Sequence, residues 1–147
     1  MGDLSKHFSK SEFKCPHCGK IIINMQLISK LEEIRKAIGN RPIIITSGYR
    51  CKTYNASIDG CLNSPHIEGL AADIKVYDFS IIDLALRANI VQEIRLGLYP
   101  NHLHIDIKKP SPSKYWLVRE YNSTPIYSKN EKDLKKFLKG VIDNVIN

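Results

Sequence analysis

The chain has 147 residues, of which 43% are hydrophobic and 25% are charged, and this suits one globular domain with one core. No run approaches the roughly 18 apolar residues of a membrane-spanning helix. Low-complexity stretches and internal repeats are also absent, which excludes fibrous, disordered and solenoid proteins. With 22 basic and 15 acidic residues, the formal net charge is +7, which suits an anionic polymer such as nucleic acid or cell wall.

The first half of the chain alternates between helical and strand-like patterns. Apolar residues at helical spacing predict a helix over 24–38 that ends at Gly39-Asn40. The apolar run 42–46 predicts a buried strand. A short helix or turn is expected within 54–63, and a second strand over 71–76.

The second half continues the same α+β pattern. A helix is predicted over 79–90, with Ile82, Leu86 and Ile90 on its apolar side. The remaining predicted elements are two strands at 93–99 and 103–107, an edge strand at 115–119 and an amphipathic helix at 132–146. We expect that last helix to dock on its own domain, because a stripe of seven large apolar side chains is typical of a core.

The four cysteines are Cys15, Cys18, Cys51 and Cys61. The run 15–19, Cys-Pro-His-Cys-Gly, looks like half of a zinc knuckle, but no second pair has matching spacing. Reduced, partly buried thiols are therefore the default prediction, and a four-thiolate zinc site is the alternative.

The segment 64–73 places His66 seven residues before Asp73. This separation does not suit two ligands on one helix face, which needs three or four residues. It suits a loop histidine that faces the start of a strand. Small residues between the two would let the loop fold back tightly.

The run 102–106 alternates polar and apolar residues, so a strand would carry His102, His104 and Asp106 on one face. Two histidines and one carboxylate with an open fourth position form the ligand set of a catalytic zinc site. Alternatively, each histidine is a surface residue or a hydrogen-bonded core residue.

Several of these segments together resemble the zinc D-alanyl-D-alanine carboxypeptidases and their phage endolysin relatives, whose zinc fold is shared with the amino-terminal domain of Sonic hedgehog. The resemblance runs from about Phe8 to about Trp116. The matching residues, in order, are Phe8, Ser9, Ser11, Glu12, Phe13, Ser47, Gly48, Tyr49, Arg50, Asn55, Ser64, His66, Gly69, Ala71, Asp73, Tyr99, Pro100, His102 and His104.

The resemblance implies an α+β fold with a small antiparallel sheet and flanking helices, and one zinc ion per chain held by His66, Asp73 and His104. It implies that His102 is the catalytic base and that Arg50 binds the substrate or stabilises the oxyanion. Some relatives carry an acidic base two or three places before the last ligand, where this chain has Asn101 and His102. An ion pair with a purely structural role is the alternative for Arg50.

Asp106 has two open interpretations. It is either an acceptor that orients a ligating imidazole, or only a solvated carboxylate on the strand. The sequence lacks HExxH, GxxxxGK[ST] and GxSxG motifs, and it shows no helix-turn-helix or aromatic RNA-binding run. We therefore expect no nucleic-acid partner.

The resulting interpretation is a single domain, residues 1–147, that acts as a monomeric zinc metallopeptidase on peptidoglycan stem peptides without stable membrane insertion. Because the first ten residues lack the apolar core of a signal peptide, we expect a cytoplasmic phage or prophage endolysin that reaches the wall at lysis. The alternatives are a zinc-bearing binding module without turnover and a housekeeping D-Ala-D-Ala carboxypeptidase. The cleaved bond stays open between D-Ala-D-Ala, a diaminopimelate cross-link and L-Ala-D-Glu.

Overall fold

A computed structural model describes residues 2–109 in full and, beyond them, only the backbone of two short strands at 115–117 and 126–128. A 3-10 helix at Lys10–Phe13 precedes the longer elements. These are, in chain order, α1 (Met25–Ala37), β1 (Ile44–Ser47), α2 (Lys52–Ser57), β2 (Ala71–Lys75), α3 (Ile81–Ala88), β3 (Arg95–Leu98), β4 (Leu103–Asp106), β5 (Tyr115–Leu117) and β6 (Ile126–Ser128). The helix predicted at 132–146 lies outside the described residues.

The strands form one sheet in the order β1-β2-β4-β3-β5-β6. Its first four strands pair antiparallel, which confirms the predicted α+β class and antiparallel core. The strand expected at the edge, β5, instead pairs on both sides. It runs parallel to β3 and antiparallel to β6. Here β6 forms the outer edge, which the short run 126–128 did not indicate from its sequence.

Helix α1 follows the predicted pattern closely. Its N-cap residue Asn24 accepts a hydrogen bond from the backbone N–H of Gln26 through Oδ1, at 2.8 Å. Gly39 and Asn40 both have positive φ, which ends the helix. The buried side chains of the helix are Leu27, Ile28, Leu31 and Ile34. Burying side chains of this size stabilises the fold by roughly 1.5–3 kcal/mol each before entropy is counted.

Helix α3 buries a different face from the predicted one. Its fully buried residues are Leu84, Ala85 and Ala88, whereas Leu86 is 38% exposed and Ile90 is 71% exposed. Two alanines on the buried face let the helix backbone approach the sheet closely. Of the predicted apolar side, Ile82 packs against the core but Leu86 and Ile90 do not, because small apolar residues define the packed face here.

Glu32 on α1 ties down the N-terminal segment. Its carboxylate accepts hydrogen bonds from the Ser5 hydroxyl at 2.7 Å and the His7 backbone N–H at 3.0 Å, and it pairs with His7 Nδ1 at 2.6 Å. Burial raises the pKa of Glu32, but these bonds from His7 and Ser5 outweigh it and leave that pKa below its ordinary value.

Replacing Glu32 with Gln should lower the free energy of unfolding by about 1–2 kcal/mol near neutral pH, because charge-assisted bonds are lost. A carboxylate with a depressed pKa stabilises the fold above its unfolded pKa of about 4.3, and this contribution is lost as pH falls through the folded pKa. Urea unfolding checks this at two pH values, one near pH 7 and one about one unit below the pKa of the Glu32 carboxyl in the folded protein. The more exposed neighbour Glu33 provides the control, and equal effects of Glu32→Gln and Glu33→Gln would contradict the expectation.

Candidate active site

The pairing of β2 with β4 positions the centre of the site. In this antiparallel register Asp73 lies directly opposite His104, and a loop brings His66 over both. One potential ligand atom from each of the three side chains lies within 4.8 Å of the others. All three residues are buried, with exposures of 1% for His66, 4% for Asp73 and 6% for His104.

The loop that carries His66 fixes the direction of its ring. Nδ1 donates to the Gly48 backbone carbonyl at 2.8 Å, which turns Nε2 toward Asp73 Oδ1 at 3.1 Å. The loop ends at Gly69, whose φ is +72° and where a Cβ atom would lie 2.5 Å from the Ile22 carbonyl oxygen. Only glycine fits this turn, so the loop geometry depends on it.

His104 is held between two carboxylates. Its Nδ1 lies 3.0 Å from Asp73 Oδ1, and its Nε2 lies 2.7 Å from Asp106 Oδ2. Asp106 is fully buried and also accepts two hydrogen bonds from Arg95, at 2.7 and 2.9 Å. The structure therefore supports Asp106 as the acceptor that orients an imidazole, and the alternative of a solvated carboxylate is wrong.

The electrostatics of the three central residues are strongly coupled. Burial raises the pKa of Asp73, but the charges and hydrogen bonds of His66 and His104 outweigh it and hold that pKa well below its ordinary range. Burial lowers the pKa of His66. Burial also acts to lower the pKa of His104, but hydrogen bonds to Asp106 and Asp73 raise it to about 9.

The donor set fits a zinc ion. Two imidazole nitrogens and one carboxylate oxygen converge, and these are ligand types that catalytic zinc sites use. The other ring nitrogen of each histidine already has a protein acceptor, as ligating histidines usually do.

Arg50 lies beside this centre in a network of three hydrogen bonds. Its guanidinium donates to Asp73 Oδ2 at 2.9 Å, to the Ser47 hydroxyl at 3.0 Å and to Asn55 Oδ1 at 3.4 Å. The ion pair that was the alternative interpretation is therefore present. Its partner, Asp73, is one of the predicted ligands. Arg50 therefore holds Oδ2 of Asp73, while Oδ1 faces His66 and His104.

His102 lies at the rim of the same cluster, with 17% of its side chain exposed. Its Nδ1 bonds the Asn101 side-chain oxygen at 2.8 Å, and its ring stacks on Tyr99 with centroids 4.5 Å apart. Nε2 faces Asp73 Oδ2 at 3.7 Å. Burial lowers the pKa of His102, which favours a neutral ring whose Nε2 can accept a proton.

The four cysteines are free thiols, as the default prediction had them, and their exposure ranges from buried to exposed. Cys15, Cys18 and Cys51 form a second cluster of potential ligands, and Cys61 lies outside it. Burial raises the pKa of the Cys15 thiol, but hydrogen bonds from the backbone of Cys18, Cys51 and His17 lower it to about 6.

Sequence reasoning missed Arg95 as a site-supporting residue. Arg95 and Asp106 are direct partners in the antiparallel register of β3 with β4. This pairing could have been predicted from the sequence. Leu98 and Leu103 flank the turn at 99–102 as register partners, and counting three residues outward along each strand reaches Arg95 and Asp106. Asn101 was noted as a departure from the family pattern, but its bond to His102 was not foreseen.

Replacing Asp106 with Asn should weaken zinc binding by about 10- to 100-fold, the usual effect of losing an outer partner of a ligating histidine. The amide can still accept a hydrogen bond, but it lacks the negative charge that polarises His104. Competition with a chelator measures this affinity. Asp78→Asn is the matched control, because Asp78 is exposed and has the positive φ that asparagine tolerates. Equal zinc affinity in both variants would contradict the role of Asp106.

In the portion of the chain that the structure describes, no helix combines the length and the apolar character needed to cross a membrane.

Comparison with known proteins identifies the family of this chain. Residues 5–106 match the sequence profile of the family described as Peptidase M15, so the chain belongs to that family. A particular relative is the zinc D-Ala-D-Ala carboxypeptidase of Streptomyces albus G, which is 36% identical to this chain over 75 residues. The matched segment covers 50% of this chain but 29% of that relative.

Proposed function

We propose that this chain is a zinc-dependent peptidase that hydrolyses peptide bonds in peptidoglycan, with His66, Asp73 and His104 as the zinc ligands. The convergence of these three buried side chains carries the proposal, because one potential ligand atom from each lies within 4.8 Å of the other two. Family membership and the name of the carboxypeptidase relative support it.

The residues around the ligands have distinct roles in this proposal. When bound, the ion supplies Lewis acidity toward a carbonyl and lowers the pKa of water to about 7. His102 Nε2 accepts the proton of the attacking water and returns it to the leaving amine. Asn101 keeps Nδ1 of His102 engaged, so that Nε2 is the nitrogen presented to the substrate.

Arg50 has two roles in the proposal. Its bond to Asp73 Oδ2 keeps that carboxylate oriented, and three of the five N–H groups of a guanidinium are used by the observed bonds. The remaining N–H groups are proposed to bind a substrate carboxylate or the developing oxyanion.

The substrate is proposed to be the stem peptide of peptidoglycan or a cross-link derived from it. A net charge of +7 favours association with an anionic wall. The name of the relative favours D-Ala-D-Ala among the possible bonds, and a diaminopimelate cross-link and L-Ala-D-Glu are the alternatives.

Digestion of purified peptidoglycan tests the proposal. The zinc-loaded protein should release new amino groups, and mass spectrometry of the fragments should identify the cleaved bond. The His104→Ala variant should release none. A wild-type protein that retains zinc but releases no amino groups would instead be a binding module, and the proposed activity would be wrong.

We further propose that the chain acts as an endolysin in a phage or prophage. Production in the bacterial cytoplasm together with a pore-forming holin should then lyse the culture, whereas production without the holin should not. The His104→Ala variant should not lyse cells in either case. A chain that digests purified wall but never causes holin-dependent lysis would favour the housekeeping carboxypeptidase.

A further inference from the structure

Three cysteines converge about the turn 15–20, apart from the His66 centre, and one histidine contacts this group. Potential ligand atoms of Cys15, Cys18 and Cys51 all lie within 4.8 Å of one another. His17 adjoins this cluster, and its Nδ1 lies 3.4 Å from Cys51 Sγ. The three thiols are free rather than paired in a disulfide.

The distance between Cys51 and His17 suits two ligands of one tetrahedral ion. Zinc–sulfur bonds of about 2.3 Å and zinc–nitrogen bonds of about 2.0–2.1 Å place a sulfur and a nitrogen about 3.5 Å apart at the tetrahedral angle. The observed distance of 3.4 Å between Cys51 and His17 agrees with this value. A set of three thiolates and one imidazole is typical of closed, structural zinc sites.

Each sulfur in the cluster also accepts a backbone hydrogen bond. The Cys51 N–H points to Cys15 Sγ at 3.5 Å, the Lys20 N–H to Cys18 Sγ at 3.4 Å, and the Tyr54 N–H to Cys51 Sγ at 3.4 Å. A neutral thiol is a weak acceptor, whereas a thiolate ligand gains from such bonds. The backbone is therefore arranged for negative sulfur atoms.

The turn that carries Cys15 and Cys18 is closed on itself. The Cys15 N–H donates to the Lys20 carbonyl at 2.9 Å, and the Gly19 N–H donates to the Cys15 carbonyl at 3.0 Å. Gly19 has a φ of +76°, a conformation that favours glycine. This is the compact turn expected of a zinc knuckle. The sequence motif at 15–19 indicated only one half of such a site.

We propose that Cys15, His17, Cys18 and Cys51 bind a second zinc ion in a closed site that does not take part in the chemistry. Binding would release the thiol protons to solvent and leave one zinc ion on three thiolates and one neutral imidazole. Cys61, which lies outside the cluster, is not part of the site.

The position of this site in the fold gives it a structural role. Cys51 directly follows Arg50, the residue that pairs with Asp73. On the other side, the Tyr49 N–H donates to the Phe13 carbonyl at 2.9 Å, two residues before Cys15. A zinc ion here would therefore fasten the N-terminal segment to the chain that carries Arg50, and so support the His66 centre from outside.

Metal analysis of the full-length protein, purified under reducing conditions and loaded with zinc alone, tests the second site. Wild type should bind two zinc ions per chain, one for each cluster. Cys18→Ser should lose one equivalent, and His104→Ala should lose the other. Cys61→Ser is the matched control, since Cys18 and Cys61 are both exposed, and it should keep both ions.

Cobalt substitution identifies the ligands independently of activity. Cobalt-loaded wild type and His104→Ala should both show the charge-transfer absorption of thiolate–cobalt bonds, and Cys18→Ser should lose most of it. His17→Asn should keep this absorption but bind the ion more weakly, because one ligand is lost while the thiolates remain.

Three outcomes would overturn the proposal. One is full zinc retention by Cys18→Ser without any thiolate–cobalt absorption in wild type. Another is a Cys15–Cys18 disulfide in protein from zinc-supplemented, reducing preparations, which would indicate a redox pair. The third is an unchanged zinc affinity in His17→Asn, which would contradict the proposed site of three thiolates and one imidazole. Loss of peptidase activity alone would contradict the proposed function of the His66 centre and would not contradict the second zinc site.

Discussion

His104→Ala should abolish peptide hydrolysis and remove the zinc ion held at the His66 centre. His104 is one of three converging donors, and its loss leaves an open two-ligand site. The affinity should fall by more than the roughly 10- to 100-fold that loss of an outer partner costs. Zinc analysis and amino-group release from peptidoglycan, measured on the same preparation, check both effects.

Two further ligand variants strengthen this test. His66→Ala should behave like His104→Ala, and Asp73→Asn should lose zinc while keeping a hydrogen-bonding group for Arg50. The amide matters because its oxygen still accepts a hydrogen bond from Arg50, whereas Asp73→Ala would leave the guanidinium without any acceptor there, and removing one partner of a buried ion pair costs about 3–5 kcal/mol. Retention of zinc at this centre in all three variants would contradict the ligand assignment.

His102→Ala should keep the zinc ion but lower the hydrolysis rate by about 10²- to 10⁴-fold, the usual contribution of a general acid or base. The reason is its position, since Nε2 faces the cluster from the rim at 3.7 Å from Asp73 Oδ2. The kcat of the variant should fall far more than its KM rises, because the role belongs to the transition state.

A structural role for His102 predicts a different result. His102→Gln can still bond Asn101 and pack against Tyr99, so a purely structural residue would be rescued by it. The proposed base would not be rescued. If His102→Ala lost the zinc ion while His104→Ala kept it, the roles assigned to these two histidines would be reversed.

Much of the site was predictable because its geometry follows from local rules. Alternation along the strand at β4 places His104 and Asp106 on one face, as their contact at 2.7 Å shows. The seven-residue separation of His66 and Asp73 indicated a loop that returns to a strand, and the 3.1 Å contact between them agrees.

The remaining features depend on contacts that are distant in sequence. Cys51 reaches the 15–18 turn because the end of β1 passes close to Phe13, where a Cβ atom on Gly48 would lie 2.5 Å from the Phe13 Cα atom. No spacing rule connects two segments 36 residues apart. The packed face of α3 was missed for a related reason, since the sheet it meets selects Ala85 and Ala88.

The most direct measurement is to add zinc back to the metal-free, full-length protein and to follow its hydrolysis of purified peptidoglycan. Amino-group release should be absent after chelation and should return in proportion to zinc bound at the His66 centre, with no return in the His104→Ala variant. Undiminished release by protein that metal analysis shows to be free of zinc would contradict the assignment of a zinc peptidase.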